Sequence, residues 1–300
     1  MSTEEKTSTS ESKNLWDSIE TVPDDPILGM ITKFNEDKFP NKVNISVGAD
    51  RDENGKPYIL KCVKKSIEKF AKDNVNHEYM PMGGDETLAV QSISGSGALE
   101  IGQSFLKKFY PYKKIMYYSS PTWANHIAIC KGTGLEVGEY RYYDPKTKYV
   151  DFEGMCEDLE KLEEHSMVLF HACGHNPTGV DLSHEQWEKV LKIVIKKEIL
   201  PVFDMAYQGF VSGDLNEDAF SVRLFENSGI NMLVAQSFAK NLGLYGERIG
   251  CLSILTQNEK QKVAIKQNLA KIVRSKYSSP PKFGAMIINN ILSNDELKKE

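Results

Sequence analysis

Apolar residues along the 300-residue chain gather in short runs whose spacing predicts alternating strands and helices. Runs of strand length, rich in β-branched and aromatic residues, lie at Ile115 to Tyr118, Met167 to Phe170, Leu200 to Phe203, Met232 to Ala235 and Gly250 to Leu255. Helical patterns fall between them. The clearest is Ser183 to Lys197: Ser183 can cap it, Gln186 stands at the capping-box position, and Trp187, Val190, Leu191 and Val194 form one apolar stripe. Strand alternating with helix implies an α/β fold of three layers, a mostly parallel sheet covered by helices on both faces. Ligands of such sheets bind beyond the carboxyl ends of the strands, so candidate chemistry is sought just after each run.

Composition narrows the classes. The chain carries 37 Lys plus Arg against 42 Asp plus Glu, a net charge of -5, which gives no electrostatic footprint for nucleic acid. No stretch approaches the roughly 18 uninterrupted apolar residues that a membrane span needs. Residues 1–14 mix Ser, Thr, Glu and Lys and read as a disordered cytoplasmic tail without signal or transit character. Five scattered cysteines without a C-x-x-C pair suit reduced thiols in a reducing compartment.

Each strand end then offers its own chemistry. Ser94, Gly95 and Ser96 form a Ser/Gly loop entering a helix that continues to about Phe109, a place where backbone N–H groups and hydroxyls can receive a phosphate; an ordinary capped helix reads the same way. Trp123 and His126 follow the strand ending near Tyr118, and the indole there either stacks on a flat ring or packs in the core. His171, Cys173 and His175 invite a zinc reading, but they lack a second ligand pair at suitable spacing, so no metal is expected. Asp204 closes an apolar strand, where a carboxylate costs desolvation unless a cation partners it, and Tyr207 can reach the same pocket. Lys240, on a glycine-rich loop with Arg248 close behind, is a candidate Schiff-base amine; Ser237-x-x-Lys240 also fits a serine acylase pattern without that pattern's companion motifs. One ligand accounts for all of these, pyridoxal phosphate: Ser94 to Ser96 on the phosphate, Trp123 on the ring, Asp204 on the pyridine nitrogen, Tyr207 and Asn176 on the ring oxygen, and Lys240 on the aldehyde.

The motifs Ser-Gly-Ser-Gly-Ala-Leu at 94–99, Pro-Thr-Trp-Ala-Asn-His at 121–126, His-Asn-Pro-Thr-Gly at 175–179, Asp-Met-Ala-Tyr-Gln-Gly-Phe at 204–210 and Ser-Phe-Ala-Lys-Asn at 237–241 occur together. As a set, from about Leu15 onward, the chain resembles the aspartate aminotransferases of the fold type I pyridoxal-phosphate enzymes. The resemblance implies Lys240, Tyr207 and Asp204 as the catalytic group, with His126 behind Asp204 and with Ser237 and Arg248 joining Ser94 to Ser96 on the phosphate. It implies a homodimer in which Tyr79 reaches the neighbouring phosphate and Arg274 the substrate's side-chain carboxylate, with Gly48, Trp123 and Asn176 also against the substrate. A guanidinium fork suits a second carboxylate, so dicarboxylic amino and keto acids are the expected substrates: L-aspartate plus 2-oxoglutarate giving oxaloacetate plus L-glutamate, by ping-pong transamination in the cytoplasm. The expected organisation is a tail over 1–14, an N-terminal arm with a small-domain contribution over 15–56, and a large cofactor domain over 57–300.

Three departures from the pattern accompany the resemblance. Only Glu86 to Ala89 stands between Gly-Gly-Asp85 and Val90, where the family carries a helix and a loop, and this shortening ties Tyr79 closer to the phosphate loop of its own chain. Asp50 stands where the family usually has an aromatic residue. The small domain is expected to be incomplete, and the arginine that grips the α-carboxylate has no counterpart within the 300 residues. The alternatives are a weakly active or inactive cofactor-binding, dimerising form, and an aromatic-amino-acid aminotransferase.

Overall fold

The computed structural model describes residues 28–46, 48–73, 75–78, 80 and 89–300. The chain divides into two units, Met1–Lys56 and Pro57–Glu300. In the first, helix α1 (Leu28–Glu36) leads into extended chain and a turn at Asp52, whose carboxylate accepts the N–H groups of Asn54 and Lys56 at 2.9 Å each. Gly48 is exposed there.

The second unit runs α2 (Lys61–Lys72), β1 (Ala89–Ile93), α3 (Ser94–Phe109), β2 (Ile115–Ser120), α4 (Ala124–Thr133), β3 (Glu136–Arg141), a short ribbon of β4 (Tyr143–Asp144) and β5 (Tyr149–Val150), then α5 (Phe152–Lys161) and β6 (Met167–His171). It continues through α6 (His184–Lys196), β7 (Leu200–Met205), α7 (Phe220–Asn227), β8 (Leu233–Ser237), β9 (Ile249–Ile254), α8 (Glu259–Tyr277), α9 (Lys282–Leu292) and α10 (Asp295–Lys299). Seven strands make one sheet in the order β1-β9-β8-β7-β6-β2-β3. β9 pairs antiparallel with both its neighbours and every other pairing apart from β1–β9 and β8–β9 is parallel. The mostly parallel sheet expected from the sequence is therefore present, with one reversed strand inside it.

Side-chain alternation divides the core into two layers. Val168, Phe170 and Phe203 pack with Trp187, Val190 and Phe225 under α5, α6 and α7. Met167, Leu169, Val202, Leu233 and Ala235 face the other way, onto Leu99, Ile101, Cys130 and Val273 of α3, α4 and α8. A strand with both faces covered carries no polar position in its middle, which is why these runs look continuously apolar. Burying each of the larger side chains stabilises the fold by about 1.5–3 kcal/mol. A third cluster, Cys62, Val63, Ile287 and Ile291, joins α2 to α9.

Capping chemistry fixes α6. Gln186 N–H donates to Ser183 Oγ at 3.3 Å and Ser183 N–H to Gln186 Oε1 at 2.9 Å, the reciprocal pair read from the sequence. Two strands run further than their apolar runs. His171 and Asp204 lie inside β6 and β7 and are register partners, because parallel pairing continues past the apolar residues to His171↔Asp204.

Candidate active site

Three chain segments meet where β1 ends, β8 ends and β9 begins. Ser94 opens α3 directly after β1 in a left-handed conformation (φ 60°), and its Oγ lies 2.9 Å from Ser237 Oγ at the end of β8. Ser94 N–H donates to the Arg248 carbonyl at 3.1 Å, and Ala239 N–H to Ser237 Oγ at 3.3 Å. Because β9 is antiparallel, Arg248, just before its first residue, reaches the same edge as the last residues of β8. The approach is close: a Cβ on Gly250 would stand 2.5 Å from the Gln236 carbonyl oxygen and 2.6 Å from the Ser94 carbonyl carbon. Two hydroxyls at the amino end of a 16-residue helix, with a guanidinium on the adjoining loop, are the donor set that an anionic phosphate takes.

The second group lies beside it. Alternation along β6 and β7 turns His171 and Asp204 toward the α3–α4 layer, with Leu169 and Val202. Asp204 Oδ2 is 2.9 Å from Nε2 of His126, which is fully buried on α4. His126 Nδ1 is 2.8 Å from Thr122 Oγ1, which is 3.2 Å from His171 Nε2, and the Asn176 N–H donates to His171 Nδ1 at 3.3 Å. One backbone amide sets the direction of the whole chain. With His171 Nδ1 accepting, Nε2–H donates to Thr122, the Thr122 hydroxyl donates to His126 Nδ1, and His126 Nε2–H donates to Asp204. Burial alone would raise the Asp204 carboxyl, but the hydrogen bond from His126, with smaller contributions from the histidines and Lys240, holds it below its ordinary value. Burial, followed by the neighbouring His175, drives His171 well below the usual imidazole range. His175 is lowered to about 4, mainly by burial and then by His126. Its two nitrogens lie 2.9 Å from Ser119 Oγ and 2.8 Å from Thr178 Oγ1, so the zinc-like trio of His171, Cys173 and His175 is held by protein hydrogen bonds at both histidines.

Lys240 faces these groups from the loop after β8. Its Nζ donates to Tyr207 Oη at 2.6 Å and lies 4.0 Å from that ring's centroid. Trp123 stands at the start of α4, edge-on to His126 at 5.2 Å. Arg274 is exposed in the last turn of α8, and Tyr79 lies outside the described residues, as does the short connection at 81–88. Thr122 lies inside the Pro-Thr-Trp-Ala-Asn-His motif with nothing in the sequence to mark its part, and His171 and His175 read from the sequence as metal donors. A cleft of about 720 Å³ between α2 and α9 is lined by Phe70, Met80, Pro281 and Phe283 and by none of these residues. Converging chemistry, not volume, marks the site.

The model of the family "Aminotransferase class I and II" matches residues 55–300. The chain belongs to the class I and II aminotransferases. It is 43% identical over 307 residues to the mitochondrial aspartate aminotransferase of Xenopus tropicalis, covering 95% of this chain and 72% of that protein. Among solved structures, the aspartate aminotransferase from the cytoplasm of Saccharomyces cerevisiae superposes with a TM-score of 0.91 at 39% identity, covering 95% of this chain and 76% of that one. An aromatic-amino-acid aminotransferase from Burkholderia pseudomallei, covalently bound to pyridoxal phosphate, gives 0.90 at 37% identity, covering 95% and 77%. The aminotransferase thus spans about three quarters of the length of these relatives. Pyridoxal phosphate is the cofactor of this family, and the hydroxyl of Ser94, the carboxylate of Asp204 and the amine of Lys240 fit it. No helix among the described residues is long and apolar enough to cross a membrane.

Proposed function

We propose that this aminotransferase moves an amino group between dicarboxylic acids, L-aspartate plus 2-oxoglutarate giving oxaloacetate plus L-glutamate. The carrying observation is the 2.6 Å contact between Lys240 Nζ and Tyr207 Oη beside a buried, ionised Asp204.

Pyridoxal phosphate supplies an aldehyde that condenses with amines and a protonated ring that delocalises the electron pair left at the substrate's α-carbon. Everything else falls to the chain. Ser94, Ser96 and Ser237 hydroxyls, the N–H groups opening α3 at Gly95, and Arg248 would hold the phosphate. Trp123 would cover one face of the ring. Asp204, kept ionised by His126, would hold a proton on the ring nitrogen. Asn176 and Tyr207 would hydrogen-bond the ring oxygen, and Tyr207 Oη orients Lys240 Nζ. Lys240 Nζ, as a free amine, would be the base that takes the substrate's α-proton and the acid that hands it back. A keto acid would enter the same site as the acceptor of the amino group.

In a homodimer, Arg274 would reach the neighbouring site and grip the substrate's second carboxylate. The mixed names of the relatives sustain a second reading, an aromatic substrate, against which Arg274 stands because a guanidinium gains little from an apolar side chain. We infer a cytoplasmic location, supported by five unpaired cysteines and tested by cell fractionation. The function is tested by mixing the purified protein with pyridoxal phosphate, looking for an absorbance band within about 360–430 nm, and adding L-aspartate. Bleaching of the band to the pyridoxamine form is the expected result. Bleaching by phenylalanine alone supports the aromatic reading, a band indifferent to every amino acid supports a binding-only form, and no band overturns the proposal.

A further inference from the structure

Asp181 follows the His-Asn-Pro-Thr-Gly motif and touches nothing that the reaction handles directly. Its two carboxylate oxygens are divided between two consecutive backbone amides: Gly174 N–H donates to Oδ2 at 2.7 Å and His175 N–H to Oδ1 at 2.8 Å. The next amide, Asn176, is the one already given to His171. Three successive N–H groups of one loop are therefore each directed at a side chain, two of them at a single carboxylate. Charge-assisted bonds of this kind are about twice as strong as neutral ones, and a paired acceptor fixes orientation as well as distance.

The clamped loop touches both sides of the candidate site. Asn176 is its third residue. Gly174 sits at φ 63°, and a Cβ built there would stand 2.8 Å from Tyr207 Cβ and 3.1 Å from its ring, so the loop backbone is the wall against which Tyr207 rests. Tyr207 in turn receives Lys240 Nζ.

We propose that Asp181 is a positioning residue for the reaction, one carboxylate that sets the loop so that Asn176 and Tyr207 converge on the cofactor's ring oxygen and on Lys240. This rests on the reading that Lys240 carries pyridoxal phosphate. Asp181 acts through backbone amides, so its loss moves the two ring-oxygen partners without removing either.

The test compares the loaded wild-type protein with Asp181→Asn and Gly174→Ala, reading the pH midpoint of the visible band, KM, kcat and thermal midpoint. Asp181→Asn keeps the volume and turns one acceptor into a donor facing an N–H, so simple packing is retained while the paired acceptor is not. Both variants are expected to bind the cofactor, to shift the band's pH midpoint by about one pH unit, a tenfold change in proton affinity, and to raise KM about tenfold or more with a smaller change in kcat. Wild-type midpoint and KM in Asp181→Asn, with only the thermal midpoint lowered, overturn the proposal and leave a structural role. Where Asp181→Asn does not fold, Gly174→Ala decides alone, because it displaces Tyr207 from the same wall; an unmoved band midpoint there is equally fatal. A wild-type protein without any band overturns the cofactor reading and this proposal with it, so the two failures are distinct.

Discussion

The two ends of β7 each carry a histidine–carboxylate pair, and they behave as different chemistry. At the carboxyl end, His126 Nε2 and Asp204 Oδ2 are 2.9 Å apart with the imidazole 0% and the carboxylate 11% exposed. At the amino end, His165 Nε2 and Glu198 Oε2 are 3.1 Å apart, 27% and 64% exposed, with Tyr112 stacked on the imidazole at 3.9 Å. Distance hardly separates them. What differs is the next partner: His126 continues through Thr122 to His171 and a backbone amide, while the outer pair opens on a cleft of about 410 Å³ and on water. A carboxylate shielded from solvent feels every neighbour at low dielectric, whereas a solvated one is screened. A histidine beside a carboxylate therefore marks a working site only when the pair is buried and its second nitrogen is committed.

Perturbing each end ranks the contrast. Lys240→Ala, adjoining the buried pair, is expected to abolish covalent attachment, and an adduct surviving borohydride in that variant would show that another lysine carries the cofactor. Asp204→Ala should cut transamination by about a hundredfold to a thousandfold, the scale of losing one fixed electrostatic partner, with assay at saturating cofactor as the check; activity within threefold of wild type would remove Asp204 from the mechanism.

The pH response comes next in size. His171 and His175 stay unprotonated in the folded protein at pH values where the unfolded chain binds protons, so their contribution is complete above about 6.5; that of His175 is lost as the pH falls toward about 4, and that of His171 is lost as the pH falls well below 6.5. Urea titrations should show stability dropping across that window by up to roughly 1.4 kcal/mol per pH unit for each histidine, and His175→Asn should flatten the slope; an unchanged slope contradicts the assignment. Smallest is Glu198→Gln at the outer pair, expected to change stability by no more than about 0.5 kcal/mol in the same titration at pH 7. A larger loss there would erase the distinction between the two ends.

Most of the scaffold was legible because its strands are covered on both faces and stand out as apolar runs, and because α6 announces its own cap. The five motifs were legible as a set, since their residue types suit one cofactor and no other single ligand. The reversed direction of β9 was not, because a buried strand has the same composition whichever way it runs. Nor were the last residues of β6 and β7: His171 and Asp204 look like loop residues until pairing with the adjacent strand is known. Thr122 and Asp181 escaped for a different reason. Thr and Asp are also what ordinary turns use, so only the partners of their oxygens separate them from turn chemistry.

The pairing of His171 with Asp204 across β6 and β7 has a further meaning for design. Successive side chains on a strand point to opposite faces, so sliding β7 by one residue would turn Asp204 into the layer of Trp187 and Phe225 and bring Phe203 to His126. Register is thus an alignment device with tolerance well below one residue. Any insertion or deletion in the turns that precede β6 and β7 is judged less by whether the sheet still forms than by whether it forms in the same phase.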